Sequence, residues 1–429
     1  MFKKTIFLMT LAGVMLTGCK DFDCCMPSVI KVTPPTIELT NIGDSDLFDV
    51  TSSLTWVVTG MEPWMSIDPA TFGGTTTVTV KITQANTDAT ARTAKLTFMA
   101  ANGDKATATV IQHPSTTLGE TLVYDGSDPS MLQTDPMGWS SNSLFPTSSL
   151  TENQVTVETG AGTISFVFGG ITAGNETVSD NTVTIEDGNI QQVMGGYSED
   201  GDVTGNSITV NGGTVTESIL GGSTNGSGTV SNNTVTITGG NVADVVGGNS
   251  FYGDATGNEV TISGGTVTGS ILGGQSITGV TTGNTVNLIG GEPALDLSAA
   301  YIYVGMNSGG NSLIGNVLNV STTDITAPLE VAWISNFETI NFILPNDIAD
   351  GDTMLYVNDG AYFDGTSVIT ITLNSAHTLT SGDIVILIDV DTKGGTILNL
   401  VGTKVITASD GTVFDVYIDG NGNLVAEMQ

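Results

Sequence analysis

Along the middle of the chain, polar and apolar positions fall into one short phrase that keeps returning. In Asn181-Thr-Val-Thr-Ile the asparagine, valine and isoleucine alternate with two threonines. A period of two is the signature of a strand, whose side chains point to opposite faces in turn. Residues 181, 183 and 185 therefore share a face suited to burial, while Thr182 and Thr184 form a β-favouring wet face. The phrase recurs as Asn153-Gln-Val-Thr-Val, Asn206-Ser-Ile-Thr-Val, Asn233-Thr-Val-Thr-Ile and Asn258-Glu-Val-Thr-Ile. Looser copies are Asn284-Thr-Val-Asn-Leu and Asn316-Val-Leu-Asn-Val. Gly-Gly pairs punctuate the same region, beginning at Gly169, Gly195, Gly221, Gly247 and Gly273, each 26 residues after the last.

A fixed period of this size predicts a β-helix, with each 26-residue unit as one coil. No coil can bury its apolar face alone, so the coils are stable only as a stack. Seven phrases at about 4.8 Å per coil predict roughly 30–35 Å of regular solenoid. Stacking sets the asparagines above one another, where each amide can bond to the next and none is left buried without a partner. A second strand is predicted in each coil, as in Thr214-Val-Thr-Glu-Ser-Ile-Leu and Thr266-Val-Thr-Gly-Ser-Ile-Leu. The glycines at both its ends, Gly212-Gly213 and Gly221-Gly222, suit corners that require positive φ. The rest of each coil varies, over 197–205, 223–232, 249–257 and 275–283, and variation in solenoids collects on one face, often the binding face.

Outside the repeat the alternation continues in shorter runs. Residues 29–114 read as strands at Thr36–Thr40, Leu47–Thr51, Leu54–Val58, Thr75–Thr83, Ala94–Met99 and Ala106–Gln112, separated by turn signals at 41–44, 69–74 and 102–104. That is sandwich spacing. Residues 115–150 form a junction and opening cap, with a strand at 122–124. The repeats occupy 151–320. Residues 321–429 carry larger side chains in less regular strands, which suits coils leading into a closing cap. The fold class is all-β: an immunoglobulin-like sandwich followed by a β-helix with a C-terminal β cap.

The charge narrows the partners. All ten Lys and Arg lie at or before Lys105, or at Lys393 and Lys404. From Ala106 to Thr392 the sequence holds 30 Asp and Glu and no Lys or Arg, which excludes nucleic acid and an anionic membrane face as partners of that region. Carboxylates at such density can take a hard divalent cation such as calcium. Glu199, Asp200 and Asp202 form the densest loop cluster, although their spacing matches no known calcium loop.

The start of the chain is a targeting segment. Lys3-Lys4 precede an apolar run, Thr5–Leu16, which is too short to span a bilayer. Residues 1–18 read as a signal peptide. Leu16-Thr17-Gly18-Cys19 resembles the lipobox of bacterial lipoproteins, which implies a lipid on Cys19. Lys20-Asp21-Phe22-Asp23 is similar to the signal that sends lipoproteins to the outer face in Bacteroidetes-type bacteria, which implies a lipid-anchored place on the outer membrane, facing out. Residues 19–28 are then a tether, in which Cys24 and Cys25 are incidental thiols or bridge to another molecule.

Two further resemblances bear on the folded parts. Trp56-Val57-Val58, Pro63-Trp64-Met65-Ser66-Ile67, Thr77-Val-Thr-Val-Lys-Ile, Asn86, Arg92-Thr-Ala-Lys-Leu-Thr-Phe and Ala108-Thr-Val-Ile-Gln112 together resemble the BACON domain, Bacteroidetes-associated carbohydrate-binding, often N-terminal. The resemblance implies an immunoglobulin-like sandwich and a link to glycans, or a spacer. Trp56 and Trp64 sit in apolar strand context and read as core rather than as sugar platforms. Asn336-Phe-Glu-Thr-Ile-Asn-Phe-Ile-Leu-Pro345, Gly351-Asp-Thr-Met-Leu355 and Ser381-Gly-Asp-Ile-Val-Ile-Leu387 look like the end of autotransporter-type adhesin passengers.

Chemistry is sparse. Lyases of β-helical shape need Arg or Lys beside a uronate, and residues 106–392 offer neither. Polygalacturonase-like hydrolases use a Gly-His-Gly, and neither His113 nor His377 lies in one. Paired carboxylates of a glycoside hydrolase stay open, since 30 acids allow many pairs. No catalytic residue and no cofactor is assigned. The leading expectation is a non-enzymatic, adhesin-like display solenoid that binds glycans or host or dietary surface ligands, proteins included. A glycan-capture component of polysaccharide uptake stands beside it. Tyr197, Phe251 and Tyr252 are the candidate contacts, as aromatics on the variable face.

Overall fold

The computed structural model describes residues 30–429 apart from 40–44, 85, 87–90, 113–118, 148, 159, 292–294, 308–313, 324, 327, 374–376, 391, 393, 401 and 403. The segment with Cys19, Cys24 and Cys25, the tether, and His113 lie outside the described residues. The chain divides into two compact units, 1–116 and 117–429.

The first unit is a two-sheet sandwich. One sheet runs in the order Lys31–Thr33, Ser45–Thr51, Thr76–Ile82, Met65–Asp68, all antiparallel. The other runs Thr36–Leu39, Lys105–Gln112, Arg92–Ala100, Thr55–Thr59, Thr71–Gly73. Alternation decides which residues meet inside: Phe48, Val50, Val78 and Val80 from the first sheet join Trp56, Val58, Leu96 and Phe98 from the second. Trp56 packs on Phe98 at 5.6 Å and gives its indole N–H to Gly74 O at 2.9 Å. The Trp64 ring lies under the Arg92 guanidinium at 4.9 Å. Both tryptophans are core. The turn expected over 69–74 instead contains a fully exposed edge strand, Thr71–Gly73, paired with Thr55, Trp56 and Val57. A three-residue edge strand, Thr71-Phe72-Gly73, is too short to show an alternation.

The second unit is a parallel β-helix. Its first sheet stacks ten strands in chain order: Thr121–Tyr124, Gln154–Val157, Thr182–Ile185, Ser207–Val210, Thr234–Ile237, Glu259–Ile262, Thr285–Gly290, Val317–Thr322, Thr339–Ile343 and Val368–Thr372. The second sheet follows the same order through Ser143–Leu144, Thr163–Phe168, Asn189–Met194, Thr214–Thr224, Asn241–Ser250, Ser270–Ser276, Leu297–Asn307, Leu329–Ser335, Leu355–Tyr362 and Thr396–Leu398. The coils thus begin inside the expected opening cap and run on well past residue 320. A four-stranded antiparallel sheet, Ile384–Ile388, Leu424–Met428, Val413–Ile418 and Lys404–Thr407, follows them.

Each regular coil also has a third strand that the sequence did not announce. It is two residues long, at Val178–Ser179, Val203–Thr204, Val230–Ser231, Ala255–Thr256 and Thr281–Thr282, the last four within stretches taken as variable. Inside the three sheets, Val183, Ile185, Ile208, Val210, Val235, Ile237, Val260 and Ile262 are wholly buried. Burying one such side chain stabilises the stack by about 1.5–3 kcal/mol.

The asparagines are in file. Asn153, Asn181, Asn206, Asn233, Asn258, Asn284 and Asn316 are all buried, and each of the first six donates its side-chain N–H to the side-chain oxygen of the next, at 2.7 to 3.3 Å. The residue before each of the seven has a left-handed φ: Glu152, Asp180, Gly205, Asn232, Gly257, Gly283 and Gly315. That corner explains why Gly, Asn or Asp stands there in six of seven coils.

The five Gly-Gly pairs do something other than turn the chain. None has a left-handed φ. In the coils of Thr214–Thr224 and Asn241–Ser250 the strand runs straight through the pair. A Cβ on Gly221 would lie 2.2 Å from Gly247 O and 3.2 Å from Asn233 Cβ. Gly195 and Gly247 stand in the same relation to Asn206 and Asn258. The pairs make room for the asparagine file and for the next coil.

Candidate functional site

The second sheet carries an outward row with aromatic side chains. Val167, Val193, Ile219, Val245, Ile271, Ile302 and Ile334 point into the main core. The residues just before them point out, and the register joins them into one row: Phe166, Gln192, Ser218, Asp244, Ser270, Tyr301, Trp333. The row is aromatic at both ends and polar between. At about 4.8 Å per rung its length is roughly 29 Å, the reach of a hexasaccharide. Gln192 donates to Ser218 Oγ at 2.5 Å, and Asp244 Oδ1 accepts from Ser270 N at 2.6 Å, so the polar middle is internally ordered. Next to this row a second outward line, Phe168, Met194, Leu220, Val246 and Leu272, is almost fully covered and gives the face an apolar floor.

Trp139 stands over the N-terminal end of the row, 43% exposed. Its ring meets Tyr197 edge-on at 4.9 Å and Phe166 at 5.8 Å. The loop that presents it is built on Asp135, a buried carboxylate. Asp135 Oδ1 accepts from the N–H groups of Met137 and Trp139, and Oδ2 from Ser140 N and Ser143 Oγ. Charge-assisted bonds of this kind fix a loop firmly. Sequence reasoning passed over Trp139 because it precedes the first full repeat.

Of the sequence candidates, Tyr197 moves to another role. It is 1% exposed, on the two-residue strand Tyr197–Ser198, and packs with Phe168, Met194 and Phe145. Its hydroxyl donates to Glu199, and burial together with that carboxylate raises its pKa well above the ordinary tyrosine value. The register also sets Tyr197 in line with Ser223 and Asn249, two positions away from Phe251. It is a support for Trp139, not a contact surface. Phe251 and Tyr252 are exposed, 40% and 56%, and meet edge-on at 5.1 Å. They occupy the corner after Asn241–Ser250, apart from the outward row.

The acidic cluster does not converge. Glu199 takes the Tyr197 hydroxyl, Asp200 Oδ1 accepts from Ser227 N at 3.0 Å, and Asp202 Oδ1 from Thr229 N at 2.8 Å. The two aspartates fasten one coil to the next. Among the described residues no group of three His, Cys, Asp or Glu side chains is placed to hold a metal ion. Nor do His377, Asp410 and Ser409 form a relay: His377 Nε2 is 3.5 Å from Asp410 Oδ2, but Ser409 Oγ donates to Leu373 O and accepts from Leu373 N.

Comparison with known proteins bears on the first unit. Residues 54–113 match the family model BACON, described as "Putative binding domain, N-terminal". The N-terminal sandwich carries a BACON domain. In this BACON domain both tryptophans of the matched stretch are buried, at 2% and 7% exposure, so neither ring offers a face to a ligand. No curated protein matches the chain. Among solved structures, a Bacteroides ovatus GH5 xyloglucanase in complex with a XXXG heptasaccharide is 17% identical, with a TM-score of 0.19, and 24% of each chain is covered. The chain therefore spans about a quarter of that enzyme's length. The C. elegans MSP family member WR4 is 13% identical with a TM-score of 0.17, over 20% of this chain and 99% of that one.

Proposed function

We propose that the protein is a lipid-anchored, outer-surface glycan-binding protein that performs no chemistry on its ligand. The observation that carries this reading is the outward row of the second sheet, aromatic at Phe166 and Trp139 and again at Tyr301 and Trp333, with amide, hydroxyl and carboxylate groups between. Aromatic faces pack against the apolar C–H faces of sugar rings, and the polar groups between them take hydroxyls. The BACON match supports binding as the role of the first unit, and the Cys19 lipobox supports the anchor. The surface ligand is then a glycan of host or dietary origin.

A glycan array probed with the full chain tests the reading. Binding to glycans, unchanged by calcium and without release of reducing ends, is the expected outcome. Reducing-end release would overturn the non-enzymatic reading in favour of a glycoside hydrolase. The anchor is tested separately: Cys19→Ser should abolish labelling by a fatty-acid analogue and move the protein out of the membrane fraction.

A further inference from the structure

Three lines of side chains run side by side along the second sheet, and one ring closes them at their N-terminal end. The first line is the outward row, through Gln192, Ser218 and Asp244. The second is Met194, Leu220, Val246 and Leu272. The third is Tyr197, Ser223, Asn249 and Gln275. The middle line is sunk between the other two. Leu220 is 8% exposed and Leu272 5%, although both lie outside the main core. On the first sheet the outward Ile343, between Ser321 and Thr372, is 37% exposed. The second sheet therefore bears a trough, with an apolar floor and walls of hydroxyl, amide and carboxylate groups. The walls are tied from rung to rung: Gln192 donates to Ser218 Oγ, and Asn249 to Ser223 Oγ at 3.2 Å.

Trp139 packs against all three lines. Its ring centroid lies 5.8 Å from that of Phe166 on the first, 6.4 Å from Phe168 on the second and 4.9 Å from Tyr197 on the third. Met137, two residues earlier, packs on the same apolar cluster as the floor. The loop is pinned by the four bonds to Asp135. The trough is thus stopped at this end by a fixed ring, and that ring remains 43% exposed.

The strands beneath the trough are paired on both sides, so an extended peptide finds no free edge to bond there. A glycan needs none. The rungs recur about every 4.8 Å, close to the length of one sugar ring. We infer that the trough takes the end of a glycan chain, with the terminal ring stacked on Trp139, and not the chain's interior. This deepens the glycan-binding reading and rests on it. Leu220, Val246 and Leu272 meet the C–H faces of the sugars, while Ser218, Asn249 and Gln275 take hydroxyls. A chain that ran on past Trp139 would have to occupy the space of its ring and of the Asp135 loop. Binding therefore follows the number of chain ends, not chain length.

Titration calorimetry with the full chain tests this on three pairs: xylohexaose with linear xylan, mannohexaose with linear mannan, and maltohexaose with amylose. At least one hexaose should bind, and its polymer should take up one protein per chain. Trp139→Ala should weaken hexaose binding about tenfold, while Thr184→Ala on the first sheet leaves it unchanged. Melting temperatures verify that both variants fold, and the count of proteins per polymer chain needs no variant. If no hexaose binds the unaltered chain, the glycan reading and the chain-end reading fall together. If a hexaose binds but its polymer takes up several proteins per chain, chain-end recognition alone is overturned. Equal affinity in a folded Trp139→Ala overturns it as well.

Discussion

Asn233 presents one side-chain oxygen to two donors of Asn206, the amide N–H at 2.9 Å and the main-chain N–H at 3.0 Å. Its own amide N–H serves Asn258 Oδ1 at 3.0 Å and Val203 O at 3.1 Å. One buried side chain therefore ties three coils, and the tie repeats at every regular rung.

Replacing Asn233 by Ala strands several of these groups at once. Buried groups left unpaired cost about 1–3 kcal/mol each, so Asn233→Ala should lose roughly 2–5 kcal/mol. Urea unfolding followed by circular dichroism measures this. Thr184→Ala, on the wet face of the same stack, should stay within about 0.5 kcal/mol.

The two kinds of glycine should part company. Gly221 has an ordinary φ but no room, with Gly247 O 2.2 Å from where a Cβ would sit. Gly411 has a left-handed φ and nothing within 4 Å. Gly221→Ala should cost more than about 3 kcal/mol, and Gly411→Ala about 1 kcal/mol. Equal melting temperatures for the two variants would contradict the close-approach role of the Gly-Gly pairs.

Tyr197 predicts a response to alkali. Burial, and then the bond to Glu199, raise its folded-state pKa above the unfolded value. Its contribution is thus fully present below about pH 10, and is lost as pH rises beyond that, because the unfolded chain releases the proton first. Melting temperatures at about pH 8 and about pH 11 should fall less for Tyr197→Phe than for the unaltered chain.

Loosening Asp135 should release Trp139. Asp135→Ala removes the acceptor of four bonds. The expected results are quenchable tryptophan fluorescence and a several-fold loss of glycan affinity, with the coils intact by circular dichroism. Unchanged affinity together with a freed ring would remove Trp139 from the binding face.

Trypsin offers a check on the charge distribution. With no Lys or Arg from Ala106 to Thr392, digestion should leave that stretch whole, which mass spectrometry of the surviving fragment would show. An internal cut there would contradict it.

The coils were legible because their cause is repeated. Asn, Val and Ile fall at the same places in each unit, and burial and a bonded amide are the only use for that regularity. The third strand was not legible, since Val203–Thr204 and its counterparts are two residues long and show no alternation. The Gly-Gly pairs were misread because glycine serves both positive φ and close approach, and sequence cannot separate the two. The face was legible only in part. Phe251 and Tyr252 are exposed, as loop aromatics suggest, yet Tyr197 is sealed in by Trp139 and Phe168. Trp139 and Trp333 lie where the 26-residue spacing has not started or has already slipped, at a loop and beside a bulge. A tryptophan amid otherwise small residues was the available signal for both.

The asparagine file also has a direction. Each of the first six amides hands one hydrogen toward the C-terminus, so Asn153 turns an oxygen toward the N-terminal side and receives Glu120 N, while Asn316, the last of the file, accepts from Asn284 and donates back to Thr281 O in the preceding coil. Such a column can lengthen or shorten only by whole coils laid the same way round. Excising Ser207–Asn233 would bring Asn206 against Asn258 with donor still meeting acceptor, whereas removing half that length would set like against like. The protein's reach is thus adjustable in discrete steps, and the polarity of a single line of amides sets the step.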